Sequence, residues 1–162
     1  MEKSRWSLRT EVRQTDPFAI RAIVESSGFF RDDEVEVAVS LAEEHLEKGD
    51  ASGYFFVFAD RNDRTEGYAC FGPIPCTQSS YDLYWIAVDE TTRGGGLGRL
   101  LLEESERTIR QMGGTRVYIE TSSKPLYEPT RQFYLRCGYS QVALLDDFYG
   151  PADSKVIYAK TL

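Results

Sequence analysis

A continuous apolar run, Leu83 to Val88, leads into Arg93-Gly94-Gly95-Gly96-Leu97-Gly98, and an amphipathic stretch from Leu97 to Met112 follows. Strand, glycine turn and helix in that order constrain the fold more than any other feature of the chain. Glycine permits positive φ and lets the main chain come close to a ligand. The first N–H groups of a helix have no partner inside it and point outward. The helix dipole adds partial positive charge at the same place. The segment therefore predicts a phosphate-bearing ligand gripped mostly by backbone.

Spacing separates the phosphate-binding turns. A P-loop ends in Gly-Lys-Ser/Thr, whereas Gly98 is followed by Arg99-Leu100. A dinucleotide fingerprint needs a third glycine, and Arg99 stands in its place. Its strand also belongs at the start of a repeated βαβ unit, while Leu83–Val88 lies mid-chain.

Along the chain, Ser7 to Arg13 reads as a first strand, and Asp16-Pro17 as an N-cap with proline at the first helical position. Gly28 ends that helix. Asp32 or Asp33 caps a second one, which Lys48-Gly49 closes. Tyr54–Ala59 and Gly67–Phe71 read as strands joined by Asp60-Arg61-Asn62-Asp63, and Tyr81–Val88 as a third. The helix from Leu97 carries Glu103/Arg107 and Glu106/Arg110 at ion-pair spacing. Arg116–Thr121 alternates as a strand. A short helix spans Pro129 to Cys137. Ser140–Leu145 and Lys155–Lys160 are the last strands, separated by a loop from Asp146 to Ser154. The crossover from Tyr81–Val88 to Arg116–Thr121 joins parallel strands and is right-handed.

The 162 residues read as a single domain, 1–162, large enough for a real core. Tyr54–Ala59 is far too short to span a bilayer, and Met1 to Trp6 leads into no signal-peptide core. Cys70, Cys76 and Cys137 lack metal-ligand spacing and fit a reducing, cytoplasmic setting. The net charge of −7 excludes nucleic acid as the expected partner and favours a cation such as an amine.

Arg93, Gly96 and Gly98 fit the pattern Arg/Gln-x-x-Gly-x-Gly/Ala. With Tyr84-Trp85-Ile86-Ala87-Val88-Asp89 before it, this resembles the acetyl-CoA-binding motif of the GNAT superfamily of N-acetyltransferases. Arg131-Gln132-Phe133-Tyr134-Leu135-Arg136-Cys137-Gly138-Tyr139 looks like that family's second motif. The resemblance implies an α/β (α+β mixed) fold. Its central, mixed, mostly antiparallel twisted sheet would have about six or seven strands, with about four helices on both faces.

The resemblance also implies roles. Acetyl-CoA is the cosubstrate, and no metal takes part. The pyrophosphate would sit on the turn Gly94-Gly95-Gly96-Leu97-Gly98-Arg99, and the pantetheine along Ile86, Ala87 and Val88. Arg93 and Arg99 either add charge near the phosphates or are solvated. Tyr134 matches the general acid, a core aromatic being the competing reading, with Tyr127 and Tyr139 as lesser candidates. Asp82 is the expected base, water-orienting group or ammonium binder, and Glu120 is its rival. Each is equally a polar strand position. Phe29 and Phe30, in the link between the first two helices, form either a substrate lid or two core anchors. Asp32, Asp33 and Glu34 beside them could attract a cation. His45 is expected to be solvated and Cys137 to pack inside.

The expected activity is acetyl transfer to a primary amine of a small molecule, since no accessory domain grips a protein. Protein N-terminal or lysine acetylation and a non-catalytic acyl-CoA sensor are the alternatives. A homodimer remains open.

Overall fold

Alternating apolar residues and glycine-punctuated helices produce seven strands and four α-helices in a computed structural model that describes residues 5–162. Met1 to Ser4, part of the segment read above for a signal peptide, lie outside the described residues. The elements are β1 (Ser7–Arg9), α1 (Asp16–Ser27), α2 (Asp32–Lys48), β2 (Phe55–Arg61), β3 (Arg64–Pro73), β4 (Ser80–Val88), α3 (Leu97–Gln111), β5 (Arg116–Ser122), α4 (Glu128–Arg136), β6 (Ser140–Gly150) and β7 (Asp153–Thr161). The seven strands form one sheet in the order β1-β2-β3-β4-β5-β7-β6. The β4–β5 pair is parallel, as the crossover through α3 requires, while β1–β2, β2–β3, β5–β7 and β6–β7 are antiparallel. No helix of the described residues is long and apolar enough to cross a membrane.

The contacts group into two units. One runs to Gly72 and includes Trp85–Thr108; the other comprises Pro73–Tyr84 and Ile109–Leu162. In the first, strand alternation sends Phe56 and Phe58 of β2, and Tyr68 and Cys70 of β3, to one face. There they meet Ile20, Ile23 and Val24 of α1 and Val35, Ala38 and Val39 of α2. Each large apolar side chain so buried contributes about 1.5–3 kcal/mol. On the opposite face α3 sits so close to β3 that a Cβ on Gly67 would lie 3.0 Å from Leu101 Cδ1 and 3.1 Å from Leu97 Cδ2.

Local signals misplace several boundaries. Asp16 does not cap α1. It lies inside the helix, and its carboxylate accepts from the Arg9 guanidinium (2.7 and 2.8 Å) and from the Arg13 N–H (2.6 Å). That fork also explains why β1 stops at Arg9: the chain must turn back to bring Arg13 to Asp16. In α2 the cap position belongs to Arg31, whose N–H donates to Glu34 Oε1 at 3.2 Å, and Asp32 and Asp33 occupy the first turn. Along α3, Glu103 pairs with Arg99 and Arg107 with Glu104, rather than with each other. The β2–β3 connection shrinks to Asn62-Asp63, both at positive φ.

In the second unit β5, β7 and β6 pair antiparallel, with the register shifting twice along β6. The loop expected from Asp146 to Ser154 is mostly strand: β6 runs to Gly150, β7 begins at Asp153, and the register shifts between Leu145 and Gly150. A bulge absorbs the irregular residues without breaking the hairpin.

Gly114 closes α3 under tight steric limits. A Cβ there would lie 2.3 Å from Ile109 Cγ2 and 2.7 Å from the Tyr81 ring. Gly114→Ala is expected to destabilise the chain by about 1–3 kcal/mol, read as a lower urea midpoint at unchanged slope. An unchanged midpoint would contradict this packing.

Candidate functional site

After β4 the chain is held in place residue by residue. The Asp89 N–H donates to the Glu66 carbonyl at 2.8 Å. Its carboxylate accepts from the Thr91 N–H (3.0 Å), the Thr91 hydroxyl (2.7 Å) and Arg64 Nη2 (2.8 Å). The Glu90 N–H donates to Ser26 Oγ of α1 at 3.2 Å. These bonds fix the approach to the glycine turn.

Gly94 and Gly96 adopt φ of 80° and 84°, and a Cβ on either would point into open space. Gly95 lies on the floor, where a Cβ would come 3.3 Å from Trp6 Cη2. Trp6 is itself pinned by donating Nε1–H to Glu66 Oε2 at 2.6 Å. The first bond along α3 is Leu100 N–H to the Gly96 carbonyl, at 3.2 Å. The N–H groups of Leu97, Gly98 and Arg99 therefore precede any acceptor within the helix. Side-chain-free space beside the start of a helix, where its first N–H groups and its dipole favour negative charge, suits an anion such as a phosphate.

The two arginines are engaged. The Arg93 guanidinium lies over the Phe29 ring, 5.0 Å from its centre, and Arg99 Nε is 3.0 Å from Glu103 Oε1. Phe30 meets the Trp85 ring of β4 edge-on at 5.0 Å. The half-buried phenylalanine pair thus ties the α1–α2 link to β4 and to the turn. Ala87 is buried, while Ile86 and Val88 are half-buried.

The second unit carries the expected acid and bases. In the β4–β5 register Asp82 faces Tyr118, so Asp82 and Glu120 share one sheet face. Glu120 Oε2 lies 2.9 Å from Lys155 Nζ of β7. Burial, chiefly, and then the charge of Glu120 push Asp82 up to about 6, against the opposing pull of Lys155. Tyr134 lies on the other face. Its buried ring packs against Tyr158 (6.0 Å) and Tyr139 (6.1 Å), and Tyr158 is the register partner of Ile119. Burial pushes the Tyr134 phenol above its usual range. Tyr127 and Cys137 are both half-buried.

His45 is not solvated as expected. Its Nδ1 is 2.6 Å from the Tyr54 carbonyl, and its ring meets Phe55 and Phe56 edge-on. A polar helix face was the wrong guide because the start of β2 lies against it.

The model of the Acetyltransferase (GNAT) family matches residues 18–139. The chain belongs to the GNAT acetyltransferase family. A crystal structure from Desulfovibrio desulfuricans, assigned to the same family, is 46% identical, covers 96% of this chain and 98% of its own, and superposes with a TM-score of 0.95. Two more distant structures show the fold alone. An aminoglycoside 6'-N-acetyltransferase in complex with coenzyme A is 19% identical, with 96% of each chain covered and a TM-score of 0.74. The ribosomal-protein-S18-alanine N-acetyltransferase of Escherichia coli is 18% identical, with 96% and 93% covered and a TM-score of 0.75. No curated protein matches this chain.

Within this GNAT chain, sequence reasoning gave no role to Trp6 or Lys155, and named Trp85 and Asp89 only as part of the motif before the turn. Asp89 carried a signal, an acidic residue two before Thr91. Lys155 was hidden because its region read as the edge of a loop.

The raised Asp82 has a consequence for stability. Its folded value of about 6 exceeds the unfolded value of about 3.9. The folded chain therefore binds this proton more tightly, and stability falls as pH rises from about 4 through about 6. Asp82→Asn is expected to raise Tm at pH 8, with the gain shrinking on acidification toward pH 4. An equal change at both pH values would contradict the environment assigned to Asp82.

Proposed function

We propose that this GNAT protein moves an acetyl group from acetyl-CoA to the primary amine of a small cationic molecule. The observation that carries the reading is the open turn at Gly94 and Gly96, followed at once by the N-terminus of α3. Acetyl-CoA supplies the reactive thioester. The chain supplies grip, proton transfer and orientation.

Grip begins at the turn, with Leu97, Gly98 and Arg99 donating to the diphosphate. The pantetheine runs along Ile86, Ala87 and Val88. In support, β4 pairs with β5 from Ser80↔Arg116 to Leu83↔Ile119, and Ile86–Val88 lie beyond the last of those pairs.

An alkylammonium has a pKa of about 10.4, so baring its lone pair at pH 7 costs about 4–5 kcal/mol. An aspartate near 6 accepts that proton, directly or through water, more readily than an ordinary one, yet stays ionised at neutral pH. Tyr134, held protonated by burial, donates toward the departing thiolate. Asp82 and Tyr134 lie on opposite sheet faces, so in this reading each serves a different end of the reacting pair, the amine and the thiolate. The acidic balance of the chain, −7 overall, favours a cationic acceptor.

A panel of polyamines, amino-acid amides, aminoglycosides and short peptides, scored by thiol release from acetyl-CoA, tests the reading. Turnover on small amines is expected. Turnover confined to peptides would make the protein a protein acetyltransferase, and binding without turnover a sensor. With the best acceptor, Tyr134→Phe should lower kcat roughly 10²-fold at unchanged acetyl-CoA affinity. Undiminished turnover would remove Tyr134 from the chemistry.

A further inference from the structure

Asp82 and Glu120 lie on neighbouring strands of one sheet face, and the charge of Glu120 adds to burial in raising Asp82. The chain places a cation beside Glu120. Lys155 Nζ lies 2.9 Å from Glu120 Oε2, and the lysine side chain is only 12% exposed against 48% for the glutamate. The ammonium also lies 3.7 Å from the centre of the Phe148 ring and 5.8 Å from that of Tyr149. Both rings come from the irregular end of β6, and Phe148 is half-exposed. An exposed lysine–glutamate pair contributes little because two flexible side chains must be ordered to make it. Here the aromatic wall orders the lysine beforehand, with a cation–π attraction added.

We propose that Lys155 is a positioning residue for the acetyl transfer: seated over Phe148, it claims Glu120 as its counter-ion and leaves Asp82 as the carboxylate that takes the amine proton. This rests on the acetyl-transfer reading above. In the step itself an ammonium N–H bond breaks, its electron pair remains on nitrogen as the nucleophile, and the proton forms an O–H bond on Asp82. Nothing else is consumed. The balance of influences on Asp82 agrees: burial and Glu120 raise it, and Lys155 opposes them. The other ionisable groups that the register places on this face are Tyr84 on β4, Arg116 and Tyr118 on β5, and Asp153 on β7. Arg116 lies over the Tyr118 ring at 5.6 Å, and Asp153 bonds to Ser122 and lies 3.7 Å from Lys124.

The test is a carbon-13 NMR titration of the Asp82 carboxyl in the full chain, with the pH dependence of kcat/KM measured beside it. In Lys155→Met the Asp82 midpoint should move up by about half to one pH unit, and Lys155→Arg should restore it. Glu120→Gln should move it down. The acid limb of kcat/KM should follow each move, which a purely structural lysine would not produce. Phe148→Leu, at a half-exposed ring, guards against loss of fold in Lys155→Met and should give a smaller upward move. An Asp82 midpoint unmoved in both Lys155→Met and Phe148→Leu would overturn the proposal. The titration needs no acceptor amine, so it stands if the amine panel fails. Turnover with an unmoved midpoint would remove Lys155 and leave the transferase reading intact.

Discussion

The amides that α3 cannot satisfy by itself are the constraint on which the structure turns. A helix always leaves its first N–H groups without internal acceptors. Most chains cover them with a capping side chain. Here Gly94 and Gly96, just before α3, adopt positive φ with open space where a side chain would project, while Gly95 between them packs on Trp6. The turn is nevertheless firmly seated, because Asp89 bonds to Thr91 and Arg64 on one side and Trp6 lies under Gly95 on the other. A helix start approached by such a path is suited to an anion. In the function proposed above, that anion is the diphosphate of coenzyme A.

A second constraint operates in the unit containing β5 and β7. Its sheet faces have different chemistry. One carries the aromatic group of Tyr134, Tyr139 and Tyr158; the other carries Asp82, Glu120 and Lys155. Burial keeps the phenol protonated and moves the aspartate toward neutrality. Burial thus moves both groups the same way, bringing Asp82 closer to neutral pH and taking Tyr134 further above it.

Legibility in the sequence followed the range of the interactions. The glycine turn, β4 and α3 were readable because each is specified by neighbours a few residues apart: an apolar run, a cluster of glycines, a helical repeat. The sheet and its crossover followed from element order. The errors fell where distant partners override local signals. Asp16 looked like a cap, but Arg9 on β1 claims its carboxylate. His45 looked solvated, but the Tyr54 carbonyl lies against it. The stretch around Gly150-Pro151 looked like a loop, but the β6–β7 ladder resumes across it. Lys155 escaped notice for the same reason, since only the folded hairpin brings Phe148 over it and Glu120 beside it. The roles of Asp82 and Tyr134 could be nominated from motif position, whereas their shifted acidities depend on burial, which no local pattern reports.

Backbone amide resonances followed during titration with coenzyme A test the central claim most directly. Binding at the turn should shift Gly94, Gly96, Leu97, Gly98 and Arg99 far more than the rest of the chain, with the downfield movement expected of amides that acquire a phosphate acceptor. Saturable binding that leaves these five amides unmoved would contradict it.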